Sequence, residues 1–152
     1  MEVWQQVFLL AYAAINLAIF VKALYECKVK NNAYRLTPAL LIFGIIAWGD
    51  AVVFGPFWII SSFVAYLLGN WFLFLLIISV FWAVRSIGET IYWLNQQFSS
   101  KVYKWNKPEN LSLHFVFHND SIWFIYQICW QCITIISIIF SIYFASLWLS
   151  SF

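Results

Sequence analysis

Long apolar runs separated by short polar breaks dominate the chain. The first run extends from about Val3 to Glu26, and KVKNNAYRL (Lys28–Leu36) interrupts it. Thr37-Pro38 then supplies a helix cap followed by a residue suited to the first helical turn. From Pro38 to Leu68 only Asp50 is charged. Gly55-Pro56 lies within that run and predicts a kink, because Pro56 removes a backbone donor and crowds the preceding turn. Gly69-Asn70 is a tight-turn signal. Trp71–Phe98 is a third run, apolar at first and more polar toward LNQQFSS, and a fourth extends from the cap signal at Asp120-Ser121 to Leu149.

Backbone polar groups in lipid must be satisfied within the chain, so apolar runs of this length predict helices. The pattern predicts an all-α, four-helix transmembrane bundle in a single domain, with spans at about 3–26, 38–68, 71–98 and 120–149. The remaining surface segment, 101–119, has a different period. Leu111, Leu113, Phe115 and Phe117 alternate with Ser112, His114, Val116 and His118, closer to a strand than to a helix. With the turn signal NKPEN before it, a short hairpin at the membrane surface is expected.

Composition explains why lipid must be the solvent. Of 152 residues, 64% are hydrophobic, 22% aromatic and 9% charged, whereas soluble domains carry roughly 25% charged residues. A net charge of +2 and the lack of a basic run exclude a nucleic-acid partner. Three cysteines, two of them within a predicted span, do not make a disulfide framework. Glu2 stands where a signal peptide has basic residues, and the apolar pattern continues through AYAA (11–14), so the first segment is expected to be a retained span.

Charge also orients the chain. Lys28, Lys30 and Arg35 fall in the first loop and Lys101, Lys104 and Lys107 in the third, while the tails and the Gly69-Asn70 turn have no basic residue. The positive-inside rule then places both loops in the cytoplasm and both termini on the non-cytoplasmic side of a plasma or inner membrane.

The candidate chemistry is a buried polar layer. At about 1.5 Å per residue, Asp50 lies about 27 Å along its helix from the Gly69-Asn70 turn, Arg85 about 21 Å and Glu89 about 27 Å. The two helices joined by that turn should be antiparallel neighbours, so one guanidinium is expected to serve two carboxylates. Asn16, Tyr92, Gln127 and Gln131 fall on compatible polar stripes, and Ala47, Ala51 and Gly55 form a ridge of small residues that permits close backbone approach. Paired charges of this kind either fix helix register or line a substrate or ion site, and the structural role is the simpler one.

Two weaker constellations remain. Cys129 and Cys132 form a CxxC pattern, as membrane thiol oxidoreductases use, but without a second thiol pair to relay electrons. His114 and His118, with Asp120, offer metal-ligand chemistry at the surface, without the third ligand and ordered surroundings that a catalytic zinc site usually has. Histidines that would hold haem within a span are absent from the sequence, as are Gly-rich phosphate loops, and no cofactor is expected.

Three functions fit this pattern. The favoured one is a non-enzymatic membrane subunit or scaffold whose partners are the bilayer and other membrane proteins or copies of itself. The alternative is a small transporter or channel protomer with Asp50, Arg85 and Glu89 lining a cytoplasm-facing cavity. The third is a membrane-embedded enzyme acting on a lipid-soluble or acidic substrate, with Arg85 as anion anchor.

Overall fold

The computed structural model describes residues 1–98 and 107–151. Four α-helices carry the fold: α1 Val3–Lys28, α2 Trp48–Leu67, α3 Trp71–Phe98 and α4 Ser121–Leu149. Each is long and apolar enough to cross a membrane. The shortest, α2, has 20 residues, which gives about 30 Å of helix, the thickness of a hydrocarbon core.

The second apolar run differs from its expected form. A 3-10 turn occupies Pro38–Phe43, and α2 begins only at Trp48. Gly44 ends the turn in the left-handed region, at φ 72°, where a side chain would be strained. The chain then passes through extended Ala47 before the helix starts. Uniform hydrophobicity hid this break, since every residue from Ala39 to Trp48 is apolar or glycine.

The chain forms two compact units, Met1–Ile77 with Phe144–Phe152, and Ile78–Tyr143. In the first unit α1 and α2 pack through small residues. Ala13, Ala23, Ala51 and Ala65 are buried. A Cβ added to Gly55 would stand 2.9 Å from the Phe20 Cβ, so only glycine permits this approach. Ala23, Ile45 and Ala51 make one core cluster, with Ile19, Leu40 and Trp48 against it. Trp58, 1% exposed, donates from Nε1 to the Phe43 carbonyl at 2.9 Å and so ties the 3-10 turn to α2. Tyr12 meets the rings of Phe43, Trp58 and Phe74. Near the chain start, Trp4 and Phe8 meet Trp71 edge to face.

The first loop is paired to the start of α2 by backbone bonds. The amides of Thr37, Trp48 and Gly49 donate to Ile46, Arg35 and Ala33, at 2.7, 3.3 and 2.9 Å. Leu36 and Ala47 form the isolated antiparallel bridge. A polar loop is thereby given a defined backbone, which fixes where its side chains stand.

In the second unit α3 and α4 are joined by polar side chains and a stacked aromatic pair. The Trp93 and Tyr126 rings lie 4.6 Å apart at 17°. Trp93, Ile122 and Trp123 form a buried cluster, and Leu111, Leu113 and Phe117 cover it. The expected hairpin is not found among the described residues of this segment. Pro108–Asn110 is a short 3-10 turn, and the amides of His114, Val116 and Phe117 donate back to Leu111, Leu113 and Leu113. Burying alternate residues does not require a strand. Turns place Leu113 and Phe117 on one side and leave Phe115 75% exposed.

Candidate functional site

Asp50 has a local role that its expected mid-helix position did not suggest. It falls in the first turn of α2, and its Oδ2 accepts from the amides of Ile46 at 2.9 Å and Ala47 at 3.3 Å. The first amides of a helix have no intrahelical acceptor, and a carboxylate there also opposes the positive end of the helix dipole. The later start of α2 therefore places Asp50 in the first turn of the helix rather than at its middle.

Arg85 and Glu89 stand in the second unit. Arg85 Nη2 lies 3.0 Å from Glu89 Oε1, with the two side chains 19% and 14% exposed. This is the i, i+4 pair the spacing predicted. By chain position Asp50 belongs to the first unit and the Arg85–Glu89 pair to the second.

The remaining polar positions behave differently from one another. Asn16 is fully buried in the first unit; its Nδ2 donates to the Tyr12 carbonyl at 2.9 Å, and its Oδ1 has no partner among the described residues. Gln127 accepts from Gln97 Nε2 at 2.7 Å and so clasps α4 to α3. Thr134 donates to Ser86 Oγ at 2.8 Å, and Ser86 donates to the Trp82 carbonyl at 2.6 Å, a second clasp. Tyr92 is exposed.

Gln131 is also exposed, and no hydrogen bond of its side chain is found among the described residues. It lies about 6 Å from the middle of α4, well inside the apolar stretch. Around it, Ile128, Cys132, Ile135, Ile138, Ile139 and Ile142 are exposed at heptad-like spacing. Of the four helices, α4 is the least buried.

The His114 and His118 rings meet edge to face, their centroids 5.4 Å apart. Among the described residues no three His, Cys, Asp or Glu side chains gather as a metal site, Asp120 included. Cys129 and Cys132 are free thiols exposed on α4, not buried as ordinary core cysteines would be. Lys101 and Lys104, which helped to orient the chain, lie outside the described residues.

One feature was missed at the sequence level. Lys22, Glu26 and Lys30 recur at i, i+4 and i+8, a polar stripe along the end of α1 that hydropathy averages away. Glu26 Oε1 accepts from Lys30 at 2.8 Å and Oε2 from Asn32 at 3.2 Å. The bond to Glu26 raises the Lys30 ammonium above the usual lysine range, with charge attraction adding to it. Beside this clasp an open groove of about 520 Å³ runs between α1 and the first loop.

Comparisons of the chain with family profiles, with curated proteins and with solved structures each found no match.

Proposed function

We propose that the chain is a non-enzymatic, multi-pass membrane subunit that assembles with a second copy of itself through α4. In this reading all four helices cross the bilayer and α2 bends at Gly55-Pro56. Both termini lie on the non-cytoplasmic side, opposite the basic first loop. Asp50, Arg85 and Glu89 hold the subunit's own helices and bind no substrate.

The observation that carries this reading is Gln131. A primary amide in hydrocarbon without a hydrogen-bond partner is costly, and neighbouring helices in membranes are held by such groups. The amide is both donor and acceptor, so the same residue of a two-fold related copy satisfies it. The exposed isoleucines on either side of it supply interlocking side chains, and one polar residue in such a seam sets register.

Cys132 stands on this seam and makes the test direct. A membrane-permeant bismaleimide should link two wild-type copies, and Cys132→Ser should abolish that product. Gln131→Leu should weaken association by about 3- to 30-fold, from the roughly 0.6–2 kcal/mol that an interhelical hydrogen bond contributes in a membrane. Gln131→Asn should retain most of it. A wild-type chain that stays monomeric at high density in a bilayer would overturn the reading.

A further inference from the structure

We propose that the groove between α1 and the first loop binds the phosphate of an anionic phospholipid headgroup. Lys22, Arg35, Thr37 and Trp48 line it together with the apolar Ile19 and Leu40. Its volume falls in the range of ligand-sized pockets, roughly 300–1,000 Å³.

Three donors in the groove have neither an anion nor a hydrogen-bond acceptor among the described residues. The Lys22 ammonium lies over the Trp48 ring, 5.2 Å from its centroid, and no anion pairs with it among the described residues. The Arg35 guanidinium likewise has no ion pair there, while its backbone is held by bonds to Asn32 and Trp48. Thr37 is only 8% exposed, and its Oγ1 has no hydrogen-bond partner among the described residues. The carboxylate in the groove, Glu26, is already engaged by Lys30 and Asn32. Two cations without an ion pair and a residue with an unsatisfied, buried hydroxyl therefore line a groove whose acid is occupied. That donor set suits a phosphate, which takes charge-assisted bonds from lysine and arginine and a further bond from a hydroxyl.

The position selects a lipid over a soluble ion. Lys22 is about 9 Å from the end of α1, the depth at which a snorkelling lysine reaches the headgroup layer. Apolar Ala18, Ile19 and Leu40 line the same groove as the cations, as acyl chains beside a phosphate require. Basic pockets between membrane helices on the loop-rich side are favourable places for anionic headgroups.

The full chain in a neutral detergent provides the test, with thermal unfolding followed as short-chain phosphatidylglycerol, phosphatidylcholine or inorganic phosphate is added. Phosphatidylglycerol should raise the wild-type midpoint in a saturable, salt-sensitive way, and phosphatidylcholine should not. Lys22→Gln with Arg35→Gln should weaken the apparent affinity at least tenfold. Lys28→Gln, at the same end of α1 but outside the groove, should leave it unchanged. Thr37→Val should leave the lipid-free midpoint unchanged or raised, because Oγ1 loses no partner, and should weaken lipid binding several-fold. Equal stabilisation by both lipids, or equal losses in Lys28→Gln and the double variant, would overturn the proposal. A shift by inorganic phosphate alone that matches the lipid would overturn the lipid assignment.

Discussion

Within Met1–Ile77 the helices meet where side chains are small or missing, whereas within Ile78–Tyr143 they meet through polar groups that reach across. In the first unit Gly55 lets α2 approach Phe20 and Asn16 of α1, and Ala23 and Ala51 share one core. In the second, Gln97 bonds Gln127, and Thr134 bonds Ser86. Lipid tails are as apolar as leucine, so burial alone gives membrane helices little reason to associate. The two remedies are dispersion at short range and hydrogen bonds out of water's reach. Close approach at small residues marks the first unit, and side-chain hydrogen bonds between α3 and α4, beside the Trp93–Tyr126 stack, mark the second. The first tolerates no added volume, and the second tolerates no lost partner.

The sharpest way to break that comparison is to remove the largest contribution from each side. Trp58→Ala should cost about 3–5 kcal/mol, the range for a buried aromatic truncated in a core, since Trp58 is 1% exposed and also holds the Phe43 carbonyl. Arg85→Leu should cost a similar amount, about 3–5 kcal/mol, by removing one partner of the largely buried Arg85–Glu89 ion pair. Thermal unfolding in detergent measures both. Rescue separates them, because Arg85→Leu with Glu89→Leu should recover much of the loss, as apolar replacement of a buried pair does. A double variant as unstable as Arg85→Leu would mean that packing, not charge, holds α3.

A smaller effect tests the close approach. Gly55→Ala should destabilise by about 1–3 kcal/mol, the range for overpacking, because its new Cβ meets Phe20 Cβ at 2.9 Å. The same change at Gly88, where a Cβ meets nothing within 4 Å, should be neutral or stabilising. Thr134→Val, on the polar side, should cost roughly 0.6–2 kcal/mol. If Gly55→Ala were harmless and Thr134→Val severe, both units would depend on polar bonds.

Asp50→Ala should cost at least about 1 kcal/mol, the usual value of a lost helix-start acceptor. Its signature is local: hydrogen exchange should accelerate at the amides of Ile46 and Ala47. Unchanged exchange there would remove the initiating role. The smallest effect concerns the loop clasp. Lys30 has a raised ammonium pKa because Glu26 accepts from it. A group whose folded pKa is raised stabilises most below its unfolded value and loses that contribution as pH rises through the folded one. Loop mobility near Asn32 should therefore increase only at pH values above the usual lysine range, and Lys30→Gln should show the same mobility at neutral pH.

Legibility varied with the kind of signal. Four helices long and apolar enough to span a membrane could be read from hydropathy, because lipid leaves a long apolar segment no other way to satisfy its backbone. The Arg85–Glu89 pair was equally legible, since i, i+4 spacing brings side chains together on any helix. The start of α2 was not. Hydropathy is blind to a 3-10 turn and an extended link made of the same residues as the helix, and the left-handed turn at Gly44 was the one local mark. The same late start changes the local setting of Asp50, which stands in the first turn of α2 rather than at its middle. The segment after Pro108 misled in another way. Its alternation suggested a strand, but turns place Leu111, Leu113 and Phe117 against the buried cluster.

The order of apolar and polar residues alone determined that this protein is helical, with four helices long and apolar enough to span a membrane, because both follow from averages over many positions that no single contact can reverse. Tertiary structure decided what the individual polar groups do. Only folding shows that Asp50 caps α2, that Gln127 is clasped while Gln131, one helical turn on, is exposed, and that Lys22 and Arg35 share a groove. A side chain's chemistry is set by what lies within a few ångströms of it. Spacing along a helix predicts those neighbours within one element, but not those that a loop or a second helix brings.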